Sequence, residues 1–224
     1  VKLPGVVSDA AVGSAVLFNV FYCTVFGLCI VLSLLLGCTP KKYWLLLKDP
    51  DQVTDFAKTY DNATFLMNVG VYGLMIIGYY NLVGAPLNGV IFGVVMCMLA
   101  TCNAGSHPGN VWPIMLGYVA ASYLFGWLSG LCGGTFTGAI NAQAICIGLC
   151  YANGLSPIAD KYGWAYGMAA SALHYCMVTT VPYLHGGFCL HNGGMTAALV
   201  CLLAVPTMEK MFRTKQEKKL LKTP

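Results

Sequence analysis

The sequence predicts an all-α, polytopic integral membrane protein of about seven hydrophobic segments, some of them broken or re-entrant. Three observations carry this. Hydrophobic residues make up 58% of the 224 residues and charged residues only 9%, whereas a soluble domain is about a quarter charged; mean hydropathy is +0.70. The charges are also confined, with none between Asp61 and Asp160 and none between Lys161 and Glu209. One span needs only about 20 apolar residues, so runs this long must fold back several times. Finally, clusters of Gly, Pro, Asn and His interrupt the runs. Such residues are tolerated at membrane depth only where protein or a water-filled cavity surrounds them.

Residues 1–13 form a short polar lead. Residues 14–37 are the first span, with no small-residue cleavage pattern of a secretory leader. Residues 38–62 are the one sizeable polar connection, whose Tyr43-Trp44-Leu-Leu-Leu-Lys48 core reads as a short helix in the membrane interface, ended by Pro50. Spans two and three, 64–84 and 86–104, flank the Gly84-Ala85-Pro86 break. After the break at 106–110, span four is expected over 112–127, with Pro113 in its first turn, where a missing N–H costs little.

Glycines at 126, 130, 134 and 138 then recur every fourth residue, a spacing that lets membrane helices touch. Because the run crosses a turn at Gly133-Gly134, it predicts two closely packed helix ends or a broken helix. Span five is expected over 135–152, ended by Asn153-Gly154, and Asp160-Lys161 marks a water-facing loop. Span six covers 164–183, and span seven is closed by Pro206 and Glu209. Residues 14–208 thus form one transmembrane domain, followed by a basic tail, 209–224, suited to lipid headgroups.

Seven crossings place the 38–62 connection, the Asp160-Lys161 loop and the tail on one face. Their lysines make that face cytoplasmic, with the N-terminus opposite, in a multi-pass protein of the inner (cytoplasmic) membrane. Two short echoes suggest a possible inverted repeat. Asn68-Val-Gly70 matches Asn192-Gly-Gly194, and His107-Pro108 followed by Gly117–Ser122 matches Ser156-Pro157 followed by Gly167–Ser171.

Composition also excludes. The net charge of +4 sits at Lys41, Lys42, Lys48, Lys58 and the tail, as topology determinants do, so no nucleic-acid partner is expected. Most of the 11 cysteines lie in apolar runs, where a thiol packs as a small hydrophobe. No nucleophile elbow, Walker loop, H-E-x-x-H or intramembrane Asp pair is present. Neither an enzyme nor a cofactor is expected.

The stretch 181–200, VPYLHGGFCLHNGGMTAALV, organises the chain. Its glycines, imidazoles and amide suit a site lining, and the alternative is a structural cap. The stretch 133–143, ending on Asn141 and Gln143, reads either as a half-helix whose N-terminal amides face a solute or as a tight turn before a packed span. His174 orders solute or simply packs. His185, Cys189 and His191 have a spacing open to zinc, but no fourth ligand is visible nearby and no metal is expected.

Polar groups inside the apolar runs are uncharged throughout, which suits a small neutral solute. The expected function is passage of such a solute through a channel or transporter. Its substrate-binding candidates are His185, His191 and Asn192, helped by His174, Asn141, Gln143 and Thr137. A non-transporting scaffold or accessory subunit is the alternative. Expected partners are the lipid bilayer, the solute, and a second copy or second half of the protein.

Four blocks resemble an uncharacterised bacterial polytopic membrane family, the domain of unknown function 1576. They are Asp49-Pro-Asp-Gln-Val-Thr-Asp-Phe56, His107-Pro-Gly-Asn-Val-Trp-Pro-Ile-Met-Leu-Gly117, Asn153-Gly-Leu-Ser-Pro157 and His185-Gly-Gly-Phe-Cys-Leu-His-Asn-Gly-Gly-Met-Thr-Ala197. The resemblance runs over residues 47–208 and implies the fold class, without a substrate. His191 stands where the family pattern has an aromatic residue, and Asn153 stands near the position of a phenylalanine. The chain is shorter than typical members, which implies one half of a two-lobed protein or a fragment.

Overall fold

The computed structural model describes residues 15–49, 55–184, 186 and 192–214. Every regular element among them is helical. Four helices are long and apolar enough to cross a membrane: α1 (Ala15–Leu35), α4 (Asn62–Leu82), α6 (Pro108–Leu131) and α10 (Asn192–Met211). Between them run α2 (Pro40–Leu46), α3 (Phe56–Thr59), α5 (Gly89–Ala100), α7 (Gln143–Ala152), α8 (Ser156–Tyr162) and α9 (Trp164–Thr180). The first 13 residues and most of the basic tail lie outside the described residues.

α1 is apolar on all sides and buries one stripe, Phe18, Tyr22, Phe26 and Ser33. Rows spaced by three or four residues share a helix face, and this face lies on α4. Gly70 and Gly73 make the approach possible, since a Cβ at Gly73 would fall 2.6 Å from the Phe26 ring. At the two ends Asn19 and Asn81 exchange amide hydrogen bonds of 3.0 and 2.8 Å, and the Ser33 hydroxyl donates to the Ala63 carbonyl at 2.6 Å.

The polar connection is built from caps. Thr39 accepts from the Lys42 amide with Pro40 in the first turn, Asp55 accepts from the Lys58 amide, and Asp61 accepts from the Thr64 amide. Each side-chain acceptor fills one of the donors that a helix start leaves open. α2 is the short helix expected in this connection, with Trp44 and Leu45 exposed and the Lys48 ammonium 4.8 Å from the Trp44 ring centroid. It ends at Leu46, before Pro50 is reached.

Several boundaries differ from expectation for visible reasons. α6 begins at Pro108, not 112, because His107 and Asn110 form a reciprocal capping box, which leaves Pro113 inside the helix. The third apolar run forms only α5 and a 3-10 turn, Thr101–Ala104. The fifth forms helix only from Gln143, because residues 133–142 are held in a non-helical course. α10 passes through Pro206 to Met211 instead of stopping there.

Among the described residues, ion-paired charged side chains gather at one end of the molecule. Lys42 pairs with Asp61 at 2.8 Å and Lys161 with Glu209 at 3.0 Å. The start of α6 joins them: the His107 ring lies 6.1 Å from Phe56 of α3, and Trp112 stacks on Trp164 at 6.1 Å. The connection, Asp160-Lys161 and the end of α10 therefore share a face, although Asp160 and Lys161 lie inside α8 and not on the water-facing loop expected.

Candidate functional site

Two short helices lie side by side in the same direction. Asn88, the cap of α5, donates through Nδ2 to the Gln143 Oε1 at the start of α7, at 2.8 Å. Midway the Cys150 thiol faces the Val94 carbonyl at 3.8 Å, and at the far end Asn153 Nδ2 donates to Thr101 Oγ1 at 2.6 Å. Start meets start and end meets end. The Asn88 side chain accepts from the Val90 and Ile91 amides, whereas α7 has no side-chain cap. The N-terminal amides of two helices, with their partial positive charge, are thus aimed at one place.

The chain reaches that place by an unusual route. Gly133, at φ +66°, turns it back after α6. The Gly138 carbonyl then accepts hydrogen bonds from Ser122 Oγ at 3.1 Å and from the Tyr175 hydroxyl. Ser122 stands nine residues before the end of α6 at Leu131, about 13 Å at 1.5 Å per residue. Residues 133–142 therefore re-enter alongside α6.

A cavity of about 450 Å³ opens between this strap and the last turns of α6 and α9, lined in part by Ser129, Thr135, Thr137, Tyr175, Thr179 and Thr180. Among the described residues no charged side chain lines it. Its hydroxyls are partly occupied: Thr179 and Thr180 each bond to carbonyls of their own helix.

His174 sits behind the cavity wall and is fully buried. Its Nε2 lies 2.9 Å from the Gly193 carbonyl, which can only accept, so Nε2 carries the proton. Nδ1 then accepts from the Tyr118 hydroxyl at 2.5 Å. The ring ties α6, α9 and α10 together with both nitrogens used, which is the packing alternative for this residue. Asn192, at the start of α10, donates to the Val178 carbonyl at 3.2 Å.

The predicted site residues thus separate. Thr137 lines the cavity, Gln143 joins Asn88 beside it, and Asn141 is exposed on the strap. His174 and Asn192 secure the helices around it. His185 and His191 lie outside the described residues, as does Cys189. Among the described residues no cluster of three or more His, Cys, Asp or Glu is placed to hold a metal.

Sequence reasoning missed Tyr118 and Tyr175, which carry no signal beyond lying on apolar helices. It also passed over Asn88, although an Asn directly before a helical run and after a Pro break is a cap signature.

A second polar cluster lies deeper. Asn68, Tyr72 and Asn153 are all fully buried; the Tyr72 hydroxyl faces the Thr101 and Asn153 side chains, and Asn68 Oδ1 has no hydrogen-bond partner among the described residues. A buried acceptor left open costs about 1–3 kcal/mol.

No curated protein and no solved structure matches this chain. A family model does match, over residues 38–210, which covers the four resembling blocks and every predicted site residue. The chain belongs to that family, described as a protein of unknown function, DUF1576.

Proposed function

We propose that this protein is a multi-pass membrane protein that passes a small uncharged solute, with the strap 133–142 and the paired starts of α5 and α7 as its selective lining. The observation that carries the reading is the re-entrant strap. Non-helical backbone within an apolar bundle needs protein or water around it, and here it borders an uncharged, hydroxyl-lined cavity. Thr137, Gln143 and Asn88 contact the solute in this reading, with Asn141 at the mouth; His185 and His191 lie outside the described residues, and Asn192 holds the start of α10 to α9.

Seven apolar segments follow, four of full length and three shorter, of which α5 and α7 are half-helices. The charged end faces the cytoplasm in a protein of the inner (cytoplasmic) membrane, by the excess of lysines there. Exposure of Asn141 and Gln143 in the isolated chain favours completion of the lining by a second copy or a second half.

Stopped-flow shrinkage of proteoliposomes, challenged in turn with urea, glycerol, formamide, ammonia and water, tests this. One solute should enter fast, and Thr137→Trp, which fills the cavity, should abolish that entry. Absence of protein-dependent flux for all five solutes would favour the alternative, a non-transporting scaffold subunit. Tight glycine packing such as Gly117 against Met168 serves that role equally well.

A further inference from the structure

We propose that Cys97 and Cys150 form a redox site, in which a hydroperoxide closes the two thiols into a reversible disulfide between α5 and α7. Register brings the two cysteines together. α5 and α7 run side by side in one direction, with Asn88 on Gln143 at their starts and Thr101 on Asn153 at their ends. Those partners are 55 and 52 positions apart in sequence, and the interval from Cys97 to Cys150 falls between the two.

Side-chain contacts agree with the register. The Cys150 thiol lies 3.8 Å from the Val94 carbonyl oxygen. On a helix, a short polar side chain three residues further on reaches that same carbonyl, and Cys97 stands three residues after Val94. The two thiols accordingly face each other, within hydrogen-bonding reach.

Their exposures differ, and the difference assigns two roles. Cys97 is exposed on the outside of the chain, whereas Cys150 is buried behind it. An oxidant meets Cys97 first, and Cys150 is placed to resolve the product. The Cys97 sulfur attacks one oxygen of the hydroperoxide and the O–O bond breaks. Cys97 becomes a sulfenic acid, and its thiol proton leaves with the other oxygen as an alcohol. The Cys150 sulfur then attacks the Cys97 sulfur. The S–S bond forms, the S–O bond breaks, and the hydroxyl takes the Cys150 proton to leave as water. Each sulfur loses one electron, and the hydroperoxide gains two.

The surroundings favour that end point. α5 and α7 carry no charged residue. A sulfinate or a thiolate-bound metal would place charge in this apolar packing, where an unpaired charge is costly. A disulfide is neutral.

The full chain, purified in detergent under reductant and desalted, is treated with a dose series of cumene hydroperoxide. It is then alkylated in denaturant, digested without reductant and mapped by mass spectrometry. A linked Cys97–Cys150 peptide pair is expected, on a chain that still migrates as a monomer, and dithiothreitol should return both thiols. Cys150→Ser should lose the link and carry a dimedone adduct on Cys97 that wild type lacks, since the sulfenic acid is no longer resolved. In Cys97→Ser, Cys150 should remain a thiol at the same dose.

Absence of the link across the dose series, a link from Cys97 to another cysteine, or equal oxidation of Cys150 in Cys97→Ser would overturn the proposal and leave the thiols as packing groups. The first two outcomes are read on wild type alone, whatever the variants do to folding. No solute flux enters this test, so it can fail or succeed independently of the channel reading.

Discussion

Replacing Gly117 by alanine should disrupt a close contact between α6 and α9. On α6, Gly117 faces α9 so tightly that a Cβ would lie 2.5 Å from the Met168 carbonyl oxygen and 3.0 Å from its Cα, and would run into Ser171 Oγ. The hydroxyl can rotate away, but the backbone carbonyl cannot, so the helices must separate. Overpacking of this kind costs about 1–3 kcal/mol. Alanine also gains about 1 kcal/mol of helix propensity over glycine, which the comparison must remove. Gly78 on α4 provides the control, since nothing lies within 4 Å of its added Cβ. Gly117→Ala should therefore fall about 1–3 kcal/mol below Gly78→Ala, or about 2–12 °C in Tm at 2–4 °C per kcal/mol for a chain of this size. Thermal unfolding in detergent, followed by tryptophan fluorescence, reads the difference. Adding Ser171→Ala should recover only part of the loss, because Met168 remains. Equal Tm values for Gly117→Ala and Gly78→Ala would refute the parallel, glycine-mediated packing of α6 on α9.

Two further outcomes follow from named hydrogen bonds. Tyr118→Phe leaves the buried His174 Nδ1 without its donor and should cost about 1–3 kcal/mol; Tyr79→Phe, whose hydroxyl has no partner among the described residues, should cost nearly nothing in the same unfolding assay. Asp61→Ala removes the α4 cap and should cost about 0.5–2 kcal/mol, whereas Asp61→Asn keeps an acceptor for the Thr64 amide and should lose less. The Lys42 ammonium, and then the Thr64 amide, hold the Asp61 carboxyl down to about 2. A depressed carboxylate stabilises the fold above its unfolded value near 4, and that contribution disappears as pH falls from about 4 through 2. Wild type should thus lose its advantage over Asp61→Ala across that acid window, by Tm measured against pH.

Much of the helical plan was legible because hydropathy reports length and caps report starts. The spans at 14–37 and 64–84 appear as α1 and α4, displaced by at most a few residues. The gathering of Lys42, Asp160-Lys161 and Glu209 at one end was equally readable, since charge cannot stay in the apolar layer. What hydropathy could not show is where an apolar run stops being helical. Residues 135–142 sit inside a long uncharged run, yet the Gly138 carbonyl is bound by Ser122 and Tyr175, partners 16 and 37 positions away in sequence. The same holds for His174: its chemistry marked it as a candidate, but its role depends on Gly193 and Tyr118, which no local pattern connects to it.

The two sequence echoes, set on these helices, take opposite senses. Gly117–Ser122 lies on α6 and Gly167–Ser171 on α9, and contacts rise together along both: Trp112 on Trp164, Pro113 near Gly167, Tyr118 with His174. The two helices run the same way, and so do the short helices α5 and α7 that precede them. α10 runs against α9, with Asn192 beside Val178 and Glu209 beside Lys161. α4 runs with α6, from Asn68 at Ser106 toward the apolar face that Met75 and Tyr79 share with Trp112 and Val119. The Asn68 and Asn192 echo therefore joins antiparallel helices. One inversion cannot relate both pairs. A second likeness is direct: a short helix, a 3-10 turn and a Pro-started helix follow one another from 89 and again from 143, the last continuous as α6 in the first case and broken at Gly163 into α8 and α9 in the second. The parallel course of α5 and α7 sets Asn88 against Gln143 at one end and Thr101 against Asn153 at the other. A variant that breaks the α5–α7 pairing, such as Cys150→Trp, should disturb both.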